Sequence, residues 1–534
     1  MKFHCLHWRL FFIIFFGVLI GFFLSTKWPL SFYPATVSDN DLVVVDDLAA
    51  QVNSDFPVRS SDQVRIQDFA NKINAIPDEI VFHFDRRQDY LAYIKMLADT
   101  GIVPLGQIDE LLAVRVSERA LLQANLGQSD ARLSYSYQIE RPLPPVEINS
   151  EALANLRHYG LSARAITGGT IAGQGEGAIV AVLDSGIQAH PQFDDVYIVP
   201  IDLVGGGVAG LGSSHGTSVA SIIAGREGIA PAATLFVVRV LDDEGLGNSY
   251  DLAQAIVQAV DLGVQIINMS LGVYQDAALL RQAIKYADDR GVIMVAAAGN
   301  DGYNRMLYPA AYPQVLAVTA VDADGQHALF PNQSKEIDFA APGVGVLTAK
   351  EEKGTTLFSG TSAAAPFVSG TLASLISGDD ALPPKQAVEA LKRCLNDHGA
   401  PSADPVYGAG LVDWDRLRER ATPNLLDVAL ADIYLQPNAQ PGSTIPIQVT
   451  VQNRGTNWFS DAQLDVSLGE AEPISFVLGS LGPGQTTTRK VITQIPPLGS
   501  DKTLSLVARV MPKKVEDDIR LDNNTKAMTF RSAR

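Results

Sequence analysis

Five short runs that are apolar on both faces dominate the middle of this chain: "AIVAVLDSG", "ATLFVVRVLD", "VQIINMSLG", "GVIMVAAAGN" and "QVLAVTAVD". A strand with one wet face alternates polar and apolar residues. These runs do not, so both of their faces must be covered. Between them lie helical stretches such as "GTSVASIIAG", "SYDLAQAIVQAVDLG" and "DAALLRQAIKYADDRG". Parallel neighbours need a crossover long enough to hold a helix, so this alternation predicts a doubly wound parallel sheet, an α/β domain over 150–423. Its strands run into Asp184, Ser270, Asn300 and the loop after Val321. The carboxyl ends of parallel strands are where such sheets place their sites.

The flanks read differently. Ahead of the domain, "EIVFHFD" alternates as a strand with Ile80, Phe82 and Phe84 on one face, and "QDYLAYIKMLADTG" is an amphipathic helix ended by Gly101. "ELLAVRVS" alternates again, and "SERALLQANLG" opens on a Ser cap and closes at Gly127. This predicts a small α+β unit over 78–141, reached through a polar tether at 29–77. The prolines of "IERPLPPVEI" then predict an extended, exposed linker. Beyond "PNLLDVAL", residues 425–534 carry period-2 runs: Ile445 to Val451, Ala462 to Leu468 and Leu504 to Val510. Punctuated by "NRGTN" and "LGPGQT", they predict an Ig-like β-sandwich.

The N-terminus carries Lys2 and Arg9 ahead of the uninterrupted run "LFFIIFFGVLIGFFL" from Leu10 to Leu24. Residues 1–28 are expected to be a signal peptide or an N-terminal membrane anchor, with the bulk of the chain exported. The net charge of −18 excludes the basic surface that nucleic-acid binding requires. The two cysteines, Cys5 and Cys394, fall on opposite sides of the hydrophobic run, so no disulfide is expected.

Three residues of the middle domain combine into chemistry. Asp184 ends "AIVAVLDSG", His215 opens "HGTSVASIIAG", and Ser362 sits in "FSGTSAAAPFVSG". Serine is a poor nucleophile near neutral pH unless a base accepts its proton, and the base needs a carboxylate to fix its tautomer. Asn300, in "VAAAGN", offers an amide where negative charge develops, and the Ser362 backbone N–H can add a second donor. Each residue alone also has a plain structural reading: a turn or cap for Asp184, a surface imidazole for His215, a left-handed turn for Asn300. The joint occurrence, each in its own motif, favours catalysis.

Those motifs, in the order Asp…His…Ser, resemble the subtilisin-like serine proteases over about 170–420. The resemblance implies Asp184 as orienting acid, His215 as general base, Ser362 as nucleophile and Asn300 as oxyanion donor. It also implies that Ser270, Leu271 and Gly272 face Gly245, Leu246 and Gly247 across a groove that grips an extended protein or peptide substrate, with Ala297, Ala298 and Gly299 lining the primary pocket. Ser218 stands where many relatives have a second histidine. Only "REG" separates "IIAG" from "IAPAATL", where relatives carry a longer calcium-binding loop, so no metal is expected to be required and "DADG" at 322–325 reads as a turn. The 78–141 unit is similar to the inhibitory, ferredoxin-like propeptides of the family, which predicts self-maturation by a cut within 141–149. The alternative is a permanent accessory domain. The C-terminal segment resembles CARDB domains, with no readable ligand. Retention of all four site residues favours an endopeptidase, broad or narrow, over a catalytically idle peptide-binding or adhesion protein.

Overall fold

The computed structural model describes residues 72, 74–124, 131–142, 156–351, 353–436, 442–494, 503–513 and 518–531. The hydrophobic segment at 10–24, nearly all of the tether, Cys5 and the proline-rich stretch at 143–150 lie outside them. Among the described residues no helix is long and apolar enough to cross a membrane. Cys394 is a buried free thiol.

The central element is a nine-stranded sheet. From one edge its strands are Leu395–Asn396, Leu411–Val412, Phe339–Pro342, Val315–Val321, Ile293–Ala297, Ile266–Met269, Ile179–Asp184, Thr234–Arg239 and Ile198–Asp202. All neighbours are parallel except the first pair. Successive side chains leave opposite faces. Val180 and Val182 enter one core with the Ser214–Ile223 and Thr361–Leu375 helices, and Ala181 and Leu183 enter a second with the Ser249–Asp261 and Ala278–Asp288 helices. This is why the runs are apolar throughout. Each fully buried Val or Leu contributes roughly 1.5–3 kcal/mol.

Four strands carry weaker signals. Ile198–Asp202 is an edge strand that is only half-buried and contains Pro200, which an edge tolerates. Phe339–Pro342, Leu395–Asn396 and Leu411–Val412 are too short to show a pattern.

The leading unit is an antiparallel sheet in the order Gly106–Ile108, Ala113–Ser117, Glu79–His83, Arg132–Ser134, with the helices Arg87–Asp99 and Glu118–Gln123. That is the ferredoxin-like arrangement. Ile80, Phe82 and Phe84 pack on Tyr90, Tyr93 and Leu97 of its own helix. Val81 and Ala113, from the other face, join the core that holds Tyr250 and Ile284. The second helix is capped by Ser117, which accepts from Ala120 N at 3.1 Å, and ends at Gln123, ahead of the expected Gly127.

The C-terminal unit pairs a three-stranded sheet with a four-stranded one. Ile447, Val449 and Val451 face Leu464, Val466, Leu506 and Val510 across one core. The period-2 pattern marks those inward positions.

Candidate active site

Asp184 ends its strand fully buried, and its Oδ1 accepts from the Ser185 backbone at 2.7 Å. The Ser185 hydroxyl accepts from Gly216 N at 3.3 Å, which ties this turn to the start of the Ser214–Ile223 helix. His215 thereby lies against the strand end, with Nδ1 and Asp184 Oδ1 2.7 Å apart. A carboxylate there holds the proton on Nδ1 and leaves Nε2 basic. Nε2 has no hydrogen-bond partner among the described residues, and Phe358 packs edge-on against the ring at 5.3 Å.

Ser362 lies in the first turn of the Thr361–Leu375 helix, whose N-terminus is favourable to negative charge. Pro366 lies inside that helix and has no N–H to give the Ser362 carbonyl four residues back. The Ser270 hydroxyl donates to that carbonyl instead, at 3.2 Å, while Ser362 Oγ is directed at the Ser270 carbonyl, 3.5 Å away. Ser270 is in turn held by Asn268, which also accepts from Ser369 at 2.9 Å, so strand end and nucleophile helix are locked together.

Asn300 is oriented by Thr361. The Thr361 backbone N–H and hydroxyl both donate to Asn300 Oδ1 at 2.9 Å, which fixes which end of the amide is the acceptor. Gly360 has φ +129°, and a Cβ there would lie 2.9 Å from Asn300 Nδ2. The glycine therefore makes room for the amide of Asn300. Thr361, Ser185 and Asn268 are functional supports that sequence reasoning missed; each is an ordinary polar residue whose partner is remote in the chain.

The groove is filled by the chain itself. Gln138–Glu140 pairs antiparallel with Leu246–Asn248, placing Ile139 opposite Gly247 and Glu140 opposite Leu246. On its other side Glu140 exchanges both backbone hydrogen bonds with Gly272, at 3.0 and 2.9 Å, and Arg141 N donates to Gly245 O at 3.2 Å. Gly245 has φ +81° and a missing Cβ that would lie 2.8 Å from Arg141 Nε. The stretch expected to be an exposed linker thus begins as a paired strand whose central residue, Ile139, is fully enclosed, because two backbone edges more than a hundred residues downstream supply the missing partners. Pro142 and Arg141 then line a cavity of about 200 Å³ together with His215, Ser218, Phe358 and Ser362.

The remaining expected groove residues sit as follows. Leu271, Ala297 and Ala298 are fully buried. Ala298 O accepts from Leu307 N, and Gly299 N donates to Thr361 Oγ1, which ties this segment to the start of the Thr361–Leu375 helix. Ser218 donates to Ala349 O and accepts from Thr348, bracing the Val346–Lys350/Gly354–Phe358 hairpin.

The shortened loop at 225–228 is closed by its own contacts. Gly228 N donates to Gly225 O across it, Glu227 accepts from the Ser162 hydroxyl, and Arg226 reaches Asp194 at 3.2 Å. At 322–325 the Asp322 carboxylate accepts from Asp324 N and Gln326 N, which closes a turn.

A serine beside an imidazole backed by a carboxylate, with an amide donor, at the carboxyl edge of a parallel sheet defines a serine-hydrolase site. The chain belongs to the subtilase family, whose model matches residues 175–410, and a CARDB domain matches 425–528. Subtilisin BL of Lederbergia lenta is 34% identical over 253 residues, which cover 45% of this chain and 90% of that one. A thermostable alkaline protease of Halalkalibacterium halodurans is 38% identical over 252 residues, covering 45% of this chain and 66% of that one. The minor extracellular protease Epr of Bacillus subtilis is 34% identical over 255 residues, covering 45% and 38%. The last two extend well beyond the part this chain spans.

Proposed function

We propose that this chain is an exported serine endopeptidase that binds peptides as the middle strand between Gly245–Gly247 and Ser270–Gly272, and that residues 78–141 are its own inhibitory leader. The observation that carries this reading is Gln138–Glu140 hydrogen-bonded to both groove edges, with Pro142 beside His215 and Ser362. Main-chain pairing of this kind supplies affinity for any extended peptide, and the side-chain pockets supply selectivity.

In turnover, Ser362 Oγ swings from the Ser270 carbonyl to His215 Nε2 and gives up its proton as it attacks the peptide carbonyl. Asp184 stabilises the resulting imidazolium, and Asn300 Nδ2 donates to the oxyanion. The imidazolium protonates the leaving amine, and water then repeats the sequence on the acyl-enzyme. No step needs a metal. Export is supported by the charged and then apolar N-terminus, and by a relative named as extracellular. The subtilase domain spans 150–423, and the CARDB-type sandwich at 425–534 serves binding or spacing.

The test is intact-mass measurement over time on the full chain, as wild type and as Ser362→Ala. Loss of the segment ahead of 141–149 from the wild type alone is expected. Processing of both proteins, or of neither, would refute self-maturation by Ser362.

A further inference from the structure

Four arginines converge on one cavity at the junction between the subtilase domain and the C-terminal sandwich. Arg393, Arg416, Arg420 and Arg454 line a space of about 350 Å³, and no acidic side chain is among its lining residues. In a chain of net charge −18 this is a local reversal of sign. Among the described residues none of the four is in an ion pair; the junction carboxylates Glu419 and Asp427 pair with Arg520 instead. Asp413, whose charge also reaches this cluster, accepts from Asn396 Nδ2 and Arg416 N, and Asp397 accepts from Ser402 N.

The four are not equivalent. Arg416 is 5% exposed and is held by the carbonyls of Arg393, Leu395 and Arg454, so it acts as a fixed positive charge. Arg454 gives only its Nε, to Gln452 Oε1 at 3.2 Å. Arg420 gives Nη1 to Leu417 O, and Arg393 gives Nε to Glu389 O. Among the described residues their other guanidinium N–H groups make no hydrogen bond that competes for a ligand. Burial first, and then the neighbouring Arg416, bring the Arg454 guanidinium down to about 10, where it is still charged at neutral pH.

Grouping like charges in a partly enclosed space is unfavourable unless an anion offsets them, and guanidinium forks match the paired oxygens of phosphate. The rest of the wall is small or apolar, with Leu382, Ala390 and Pro483, apart from Thr456 and Cys394, and the volume exceeds what a bare phosphate fills. We infer that this cavity binds a phosphate dianion, free or as a small monoester, and that the bound anion clamps the sandwich to the subtilase domain. The site is independent of the catalytic cleft.

Isothermal titration of the full chain carrying Ser362→Ala, with inorganic phosphate and separately with glycerol phosphate, at constant ionic strength in sodium chloride, tests this. One site per chain is expected. The tighter of the two ligands tells whether the organic part is recognised. Arg454→Gln should weaken binding about tenfold or more, the effect of losing charge-assisted hydrogen bonds. Arg420→Gln, at the rim, should weaken it in the same direction and guards against misfolding of the Arg454 variant. Arg226→Gln, outside the cavity, should change nothing. Absence of binding by both ligands, or equal weakening by the Arg226 variant, would overturn the proposal.

Discussion

The subtilase domain carries a neighbour at each end of the chain, and the two are held by different physics. The leading unit is attached by main-chain pairing of Gln138–Glu140, by apolar contact through Val81 and Ala113, and by few polar anchors. Chief among these is Arg115, which donates to Asn248 and Asp251 and lies 4.3 Å from the centre of the Tyr250 ring. The C-terminal sandwich is attached by interlocked charged and amide side chains. Arg520 bridges Glu419 and Asp427, Arg416 holds three carbonyls including that of Arg454, and Gln452 Nε2 donates to Leu395 O at 2.9 Å. A strand held by its backbone keeps its partners only while its continuation is intact, so one cut weakens it. A network of buried side chains drawn from both partners has no such single weak point. The first attachment suits release and the second permanence.

The comparison breaks first at Ile139, which is fully enclosed. Ile139→Asp forces a carboxylate into an apolar pocket and should empty the groove. A phosphonate that labels Ser362 in the unprocessed chain should then react at least about 10³-fold faster. An unchanged labelling rate would show that the strand does not block the cleft. At the other junction, Arg520→Ala leaves Asp427, 1% exposed, with Asn523 as its remaining side-chain partner. Because Arg520 is itself partly exposed, the expected loss is about 2–4 kcal/mol in denaturant unfolding, with new proteolysis near 420–427. A loss below about 0.5 kcal/mol would reduce this pair to a surface contact.

What was legible in the sequence follows from the same distinction. The parallel sheet announced itself because strands covered on both faces have no polar positions to blur them, and Asp184, His215, Asn300 and Ser362 stood at the ends of those elements. The sandwich was legible from its period-2 runs. The cleft strand was not, since "QIE" followed by Arg-Pro carries no pattern of its own and becomes a strand only between Leu246 and Gly272. Thr361 and Ser270 were equally silent as supports, for their roles are defined by partners 61 and 92 residues away. The arginine cavity combines residues from two domains that no local motif connects.

Acid separates the two attachments further. Burial pushes His83, on the central strand of the leading sheet, down to about 4. A group with a depressed value contributes stability that is complete above its ordinary 6.5 and is lost as pH falls toward 4. Between those limits the leading unit should loosen by up to about a hundredfold in its folding equilibrium, read as hydrogen exchange in the 79–134 sheet. His83→Gln should remove this dependence; a sheet equally protected at both limits in the wild type would contradict it.

Glu140 provides the smallest and most discriminating effect, because its sign is opposite. Desolvation at the groove, and then the charge of Asp301, raise its carboxyl above the usual value of 4.5. A raised value means that docking takes up a proton, so this contribution is complete below 4.5 and fades as pH climbs through the raised value. The side chain lies exposed at the rim, where solvent screens it, and the change should be only about a few-fold. With the His83 dependence removed by His83→Gln, phosphonate labelling of the unprocessed chain, corrected for the pH dependence of the processed enzyme, should therefore rise a few-fold across that range and become flat when Glu140→Gln is added. A rise that persists when Glu140→Gln is added would show that Glu140 is not the group whose ionisation loosens the strand in the cleft.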